Sequence, residues 1–259
     1  MKEFFRSAVR RGSGAFFGFL GINKFVYISS IRARVAWPDI KVLPVELYGQ
    51  CGEDLIILAL LEARALSKGL DLEQQHYLEV GGNHPFGTSP TYLLHKQLGM
   101  SGAIVEANEK LLADLRKGRP KDTIVYGAVQ AEDVETVMLS ISKLSEISSL
   151  DHRWVEDWAG GTVGEAARVE VPALRLNQII RDFLADEAPC FLSVDVEGLD
   201  LELLKDLDFG RYRPWFVQAE PSDPYLPGNT DRMIEHMRSV GYGLIARTRV
   251  NLIFGDRLD

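Results

Sequence analysis

Four segments of this chain read as short apolar strands, and each runs into an acid. "HYLEV" carries Glu79 just before Gly81, Gly82 and Asn83, "GAIVEA" carries Glu106, "FLSV" leads into Asp195 and then Glu197, and "WFVQA" leads into Glu220. A carboxyl at a buried strand end needs water or partners to offset its desolvation. One such acid means little; four at corresponding positions point to a polar site. In a parallel sheet, ligands bind beyond the carboxyl ends of the strands, near the point where strand order reverses. Glu106 follows Asn83 by 23 residues, one helix and one strand later. That spacing suits an acid accepting both hydroxyls of a ribose.

The elements that must position these acids alternate. "EDLIILALLEARALSKG" reads as a helix with Glu53 and Asp54 at its start and Gly69 past its end; Glu53 and Asp54 serve either the helix dipole or the site. From His76 on, strands alternate with amphipathic helices such as "SPTYLLHKQLG", with Ser89 as the expected N-cap, and "DLELLKDL", with Asp200 in that role. "TIVYGAV" reads as one further strand. "YGLIART" and "VNLIFG" close the chain with no room for a helix between them, hence as an antiparallel hairpin. Short apolar strands between helices imply an α/β fold with a doubly wound, mostly parallel sheet. Residues 131–171 interrupt the alternation with a polar, glycine-containing stretch that holds Trp154 and Trp158, read as an acceptor-side insertion or lid. The two tryptophans either stack on a sugar ring or anchor that lid.

The turn "GGNHPFG" lacks the G-x-G-x-x-G order of a dinucleotide fingerprint, and the next helix begins late. Glu79, two residues before the first glycine, repels a phosphate and suits a cationic ligand. S-adenosylmethionine (SAM), with an ammonium, a sulfonium and no phosphate, is such a ligand. Asn83 tolerates the positive φ a tight turn requires. His84 is either a general base with a suitable pKa or a histidine that holds the loop in shape. Asp195 has three open roles: orienting the SAM amino group, acting as base, or binding a metal. Glu197 either contacts the acceptor or stabilises a helix start, and His152 in the insertion is a second candidate base. Asp195 and Glu220 would end neighbouring strands and offer hard oxygen ligands to Mg²⁺ or Ca²⁺, but two carboxylates are too few to favour a metal.

"GQCGEDLIIL", "LEVGGNHP", "TYLLHKQLGMSGAIVEANEKL", "YGAVQ", "SVDVEGLDLELLKDLDF" and "VQAE" resemble, in that order, the FkbM-type SAM-dependent methyltransferases. The likeness spans roughly residues 48–254. Glu79 and Gly82 stand where the family's turn usually has Asp and Ala. The resemblance implies a class I methyltransferase fold, Rossmann-like, with a seven-stranded sheet whose last pair is antiparallel. It implies O-methylation of a hydroxyl on a sugar, glycan or natural-product small molecule. It places the methionine end of SAM on Glu79, Gly81, Gly82 and Asn83, and the ribose on Glu106. Ala107, Gly127 and Ala128 would border the adenine, Asp195 would sit beside the sulfonium, and Gln50 and Glu53 would fold back over the site. Catalytic candidates are His84, Asp195 and Glu197.

The whole chain carries a net charge of -8, which argues against nucleic acid as partner. Residues 1–41 differ, with eight Lys or Arg against Glu3 and Asp39, and read as a basic helical extension ahead of a catalytic domain over residues 42–259. The stretch "AFFGFLGI" is too short to span a bilayer; the sharper alternative is a peripheral membrane contact. Cys51 and Cys190 are too few for a disulfide framework or zinc site, and the chain reads as cytoplasmic. Two rivals stay open: a nicotinamide-dependent Rossmann oxidoreductase, and a non-catalytic SAM-binding adaptor docked through residues 1–41.

Overall fold

The structure is a computed structural model that describes residues 47–143, 148–157 and 164–258. The chain divides into two compact units, Met1–Tyr48 and Gly49–Asp259, and all that follows concerns the second. The expected basic extension, its membrane contact and Trp158 lie outside the described residues. Among the described residues, no helix is long and apolar enough to cross a membrane.

In chain order, α1 (Glu53–Lys68) precedes β1 (His76–Val80), α2 (Tyr92–Leu98), β2 (Ser101–Glu106), α3 (Leu112–Gly118), β3 (Thr123–Tyr126) and β4 (Ala128–Val129). The insertion supplies β5 (Thr136–Ser142), α4 (His152–Asp157) and β6 (Glu165–Leu174). Then come α5 (Leu176–Phe183), β7 (Phe191–Val194), α6 (Asp200–Asp206), β8 (Phe216–Ala219), α7 (Asn229–Ser239), β9 (Tyr242–Arg247) and β10 (Leu252–Asp256).

Seven strands form one sheet in the order β3-β2-β1-β7-β8-β10-β9. β3 to β8 run parallel across it, while β10 is antiparallel to both β8 and β9. The expected doubly wound sheet with a terminal antiparallel pair is what the chain builds. Apolar residues on both faces explain why. Leu78, Val80, Val105, Leu192 and Val217 pack beneath α5, α6 and α7, through Ile179, Leu204 and Met233. Tyr77, Phe191, Phe216 and Ile253 pack on the other face against Ile57 and Leu61 of α1 and Leu94 of α2. Burying both faces of short strands is the main source of the fold's stability. Strand order reverses between β1 and β7, so the ligand crevice belongs above those two strands.

Four local expectations are corrected. Residues 131–171 are not one polar loop: β5 and β6 pair antiparallel from Thr136↔Pro172 onward, and β4 joins β6 in a second, three-stranded sheet. "TIVYGAV" is split at Gly127, β3 staying in the large sheet and β4 joining the small one. Ser89 is not the N-cap of α2, which starts after Thr91; its hydroxyl is spent on Glu79. Asp200 is not an N-cap either. It is the first residue of α6, after Leu199, and is buried.

Candidate functional site

After β1 the chain turns sharply. Gly81 N and Gly82 N both donate to Val105 O at 3.0 Å, which ties the turn to β2. Gly81 has φ 91°, and a Cβ there would stand 1.9 Å from the backbone oxygen of Asp195, so only glycine lets the β1 and β7 loops meet this closely. Asn83 takes the positive φ expected of it, 33°. Its N–H donates to Glu106 Oε2 at 2.8 Å, while Asn108 N donates to Oε1 at 2.6 Å. Burial raises the Glu106 pKa, and the backbone N–H groups of Asn108, Asn83 and Ala107 pull it back. Each carboxylate oxygen offers two lone-pair directions. Glu106 can therefore brace the turn and still accept two hydroxyls. Ala107 and Ala128 pack together at the edge of the small sheet, and Gly127 N donates to Glu106 O at 3.1 Å.

Glu79 is not free to face a ligand's charge. Its carboxyl is buried, with Oε2 accepting from the hydroxyls of Ser89 at 3.0 Å and of Thr91. Its cationic counterpart is Arg119, fully buried at the end of α3. The Arg119 guanidinium donates to Asp122 Oδ2 (2.7 Å), Thr91 Oγ1 (2.7 Å), the Tyr77 hydroxyl (2.8 Å), Ser89 Oγ (3.1 Å) and Pro85 O (3.2 Å). Burial pushes the Glu79 pKa up to about 7 against the opposing pull of Arg119 and both hydroxyls. Glu79 thus shapes the turn from below. Sequence reasoning missed Arg119, because all its partners but Asp122 lie 28 to 42 residues away and nothing in "LRKGRP" distinguishes it.

Asp195 and Glu220 follow Val194 and Ala219, which are paired across β7 and β8, so these acids end neighbouring strands as expected. Asp200 fastens the two loops, with Oδ1 accepting from Glu220 N at 3.1 Å and Oδ2 from Val196 N at 3.4 Å. Glu53, wholly buried, comes in from α1: it accepts from Cys51 N at 2.7 Å and from the Thr248 hydroxyl at 2.7 Å, pinning the helix start to the β9–β10 turn. Gln50 sits in the bend ahead of it, half-buried. Few cations balance this set. Burial, with Glu53 nearby, lifts Asp195 to about 6. Burial together with Asp195 and Glu53 lifts Glu220 to about 8. For Glu197, burial and repulsion from Asp195, Glu220 and Asp200 outweigh a hydrogen bond from Trp154, and its pKa rises to about 10. Burial and the charges of Asp195 and Glu220 hold Asp200 well above the usual range. Asp195 is raised least of the four, and Glu197, Glu220 and Asp200 hold their protons more tightly, the separation of acid and base that proton transfer needs. Among the described residues, no three His, Cys, Asp or Glu are grouped as metal ligands, and Asp195 with Glu220 remains a two-carboxylate pair.

His84 is exposed, and its Nδ1 accepts from Phe86 N at 3.1 Å and Gly87 N at 2.8 Å. Accepting at Nδ1 places the ring proton on Nε2. Neither nitrogen is then vacant for a substrate proton, and the geometry gives His84 a loop-holding role rather than that of base. His152 is exposed on α4. Trp154 is buried, its ring tilted against Tyr225 at 4.7 Å, which makes it an anchor of the insertion.

Sheet order, crevice and turn define a Rossmann-like α/β domain with its ligand site at the reversal point. A family model, the methyltransferase FkbM domain, matches residues 79–244, and the chain belongs to that family of SAM-dependent methyltransferases. The nicotinamide oxidoreductase alternative gives way to this match. No curated protein sequence matches the chain. Among solved structures, it is similar to a putative O-methyltransferase from Klebsiella pneumoniae at 9% identity and TM-score 0.43, covering 89% of this chain and 96% of that one. It is also similar to a TehB-like SAM-dependent methyltransferase from Corynebacterium glutamicum, at 10% identity and TM-score 0.39, over 89% and 96% of the two chains. An O-methyltransferase from Bacillus cereus in complex with SAH is similar at 13% identity and TM-score 0.38, over 88% and 87%.

Proposed function

We propose that this protein transfers a methyl group from SAM to a hydroxyl oxygen of a sugar, glycan or natural-product acceptor. The observation that carries this reading is Asp195: it follows β7 at the reversal point, its backbone lies against the turn at Gly81, and its pKa of about 6 is below those of its neighbours Glu197 and Glu220. SAM supplies an electrophilic methyl and leaves as its demethylated product. The chain's own residues do the rest. Glu106 accepts the ribose hydroxyls while it braces Asn83, the glycine turn brings backbone close to the methionine end, and Ala107 and Ala128 form an apolar wall. Positioning supplies most of the rate in such an in-line displacement. As the acceptor oxygen bonds to the methyl carbon, its proton passes to the Asp195 carboxylate.

The test offers methyl-labelled SAM and a panel of hydroxyl-bearing glycans and small molecules to the purified full chain. The expected product is a methyl ether, and Asp195→Asn should lower kcat about 10²- to 10⁴-fold, the usual worth of a general base, with SAM affinity changed only a few-fold. A label carried to nitrogen or sulfur, or an Asp195→Asn enzyme with unaltered kcat, would refute the reading.

A further inference from the structure

Among the described residues, two hydrogen bonds tie the insertion to the loop after β7, and both are on Glu197. The Trp154 indole Nε1–H donates to Glu197 Oε2 at 2.9 Å, and the Ser149 hydroxyl donates to the Glu197 carbonyl at 2.9 Å. Ser149 is in turn bridged to Ser140 of β5 by a pair of backbone hydrogen bonds of 3.0 and 3.1 Å. Glu197 is thereby tied to the small sheet through both its side chain and its carbonyl. Its backbone is strained: Glu197 has φ 57° and Gly198 φ 107°. A Cβ on residue 198 would stand 3.0 Å from the Trp154 ring, so the indole lies directly on this turn. Non-glycine residues at positive φ cost on the order of 1 kcal/mol or more and persist where the surroundings over-determine them. Here the surroundings are Trp154, Ser149 and Tyr225, and what they hold in place is one carboxyl.

We propose that Trp154 is a positioning residue for Glu197, so that the insertion takes part in methyl transfer through this contact and not only as a cover. The inference rests on the hydroxyl-methylation reading above. An N–H donor bonds best to an unprotonated oxygen, so the indole on Oε2 leaves the proton of a neutral Glu197 on Oε1. The ionisable groups that face it are Asp195 on its own loop, Asp200 of α6 and Glu220 after β8. Held in one orientation, the neutral carboxyl donates a hydrogen bond that orients the acceptor oxygen while Asp195 takes the acceptor's proton. Freed from the indole, the same carboxyl turns about its side-chain bonds, and its proton pairs with whichever acid is nearest.

The test is a double-mutant cycle on the full chain with SAM and a working acceptor. Trp154→Phe keeps an aromatic ring against Gly198 and Tyr225 and removes the N–H. It should lower kcat about tenfold and leave KM for SAM within twofold of wild type. Added to Glu197→Ala, it should cost nothing further, because coupled residues are not additive. Equal losses in both backgrounds, or a loss carried by KM alone, would overturn the role of Trp154. Should Trp154→Phe fail to fold, Glu197→Gln carries the test instead: its amide oxygen still accepts the indole N–H and its amide still donates, so kcat should stay within threefold of wild type while Glu197→Ala loses about tenfold, and equal losses in the two variants would overturn the role. An active wild type with an additive cycle refutes this inference alone, whereas a wild type that methylates no acceptor refutes the proposed function and this inference with it.

Discussion

At the ends of β1 and β2, Glu79 and Glu106 meet donors that the chain itself supplies: Arg119, two hydroxyls and three backbone N–H groups. At the ends of β7 and β8, Asp195, Glu197 and Glu220 meet chiefly one another, and protons take the place of counter-charges. Both halves bury carboxyls, and the cost of doing so is met differently. Fixed donors hold the turn in one shape even though burial lifts Glu79 to about 7. Shared protons give a set of groups that can accept and release them near neutral pH. The first arrangement suits holding a cofactor of constant structure, the second suits a reaction in which a proton must move.

The comparison can be broken first at Arg119. Removing one partner of a buried ion pair strands the other, at about 3–5 kcal/mol. Arg119→Met, which leaves Glu79 and Asp122 without their cation, should lower stability to urea by that amount. A loss under 1 kcal/mol would mean that the cofactor half does not depend on a built-in charge. The acceptor half should be sensitive to pH instead. Glu197 has a folded pKa near 10, above its unfolded value near 4.5, so the stability tied to its proton is complete below about pH 4.5 and drains away as pH rises toward 10. The slope for one proton is about 1.4 kcal/mol per pH unit. Glu197→Gln keeps an oxygen for the Trp154 indole and has no proton to lose, so its denaturation midpoint should fall less than wild type between pH 6 and 9; parallel curves would contradict the assignment. The smallest effect is expected at His84. His84→Ala removes two loop hydrogen bonds, worth about 1 kcal/mol each at most on an exposed loop. Its kcat should drop less than threefold, and a hundredfold drop would move the base to the cofactor half and erase the contrast between the two halves.

Much of this was legible from local pattern. The strand-end acids, the alternation of short apolar strands with helices, and the closing hairpin are properties of contiguous residues, and they led to the right sheet. The ribbon of β5 and β6 was legible too but went unread: "TVMLSIS" and "EAARVEV" alternate with period two, a signal hidden by the polar and glycine-bearing residues between them. Ser89 and Asp200 were misassigned because a short polar residue ahead of a helix has the same sequence signature whether it caps that helix or serves a distant carboxyl or amide.

By itself, then, the sequence determined the sheet, the turn beyond β1, the placing of four acids at strand ends and the family to which the chain belongs, since all of these follow from residue type and spacing along the chain. Only the tertiary structure decided which acids are neutralised and which are left to share protons, and that Glu79 answers to Arg119 and Glu197 to Trp154. The reason is physical: burial and the approach of groups distant in sequence, Arg119 to Glu79 and Trp154 to Glu197, set a carboxyl's ionisation, and neither is a property of the segment that carries it.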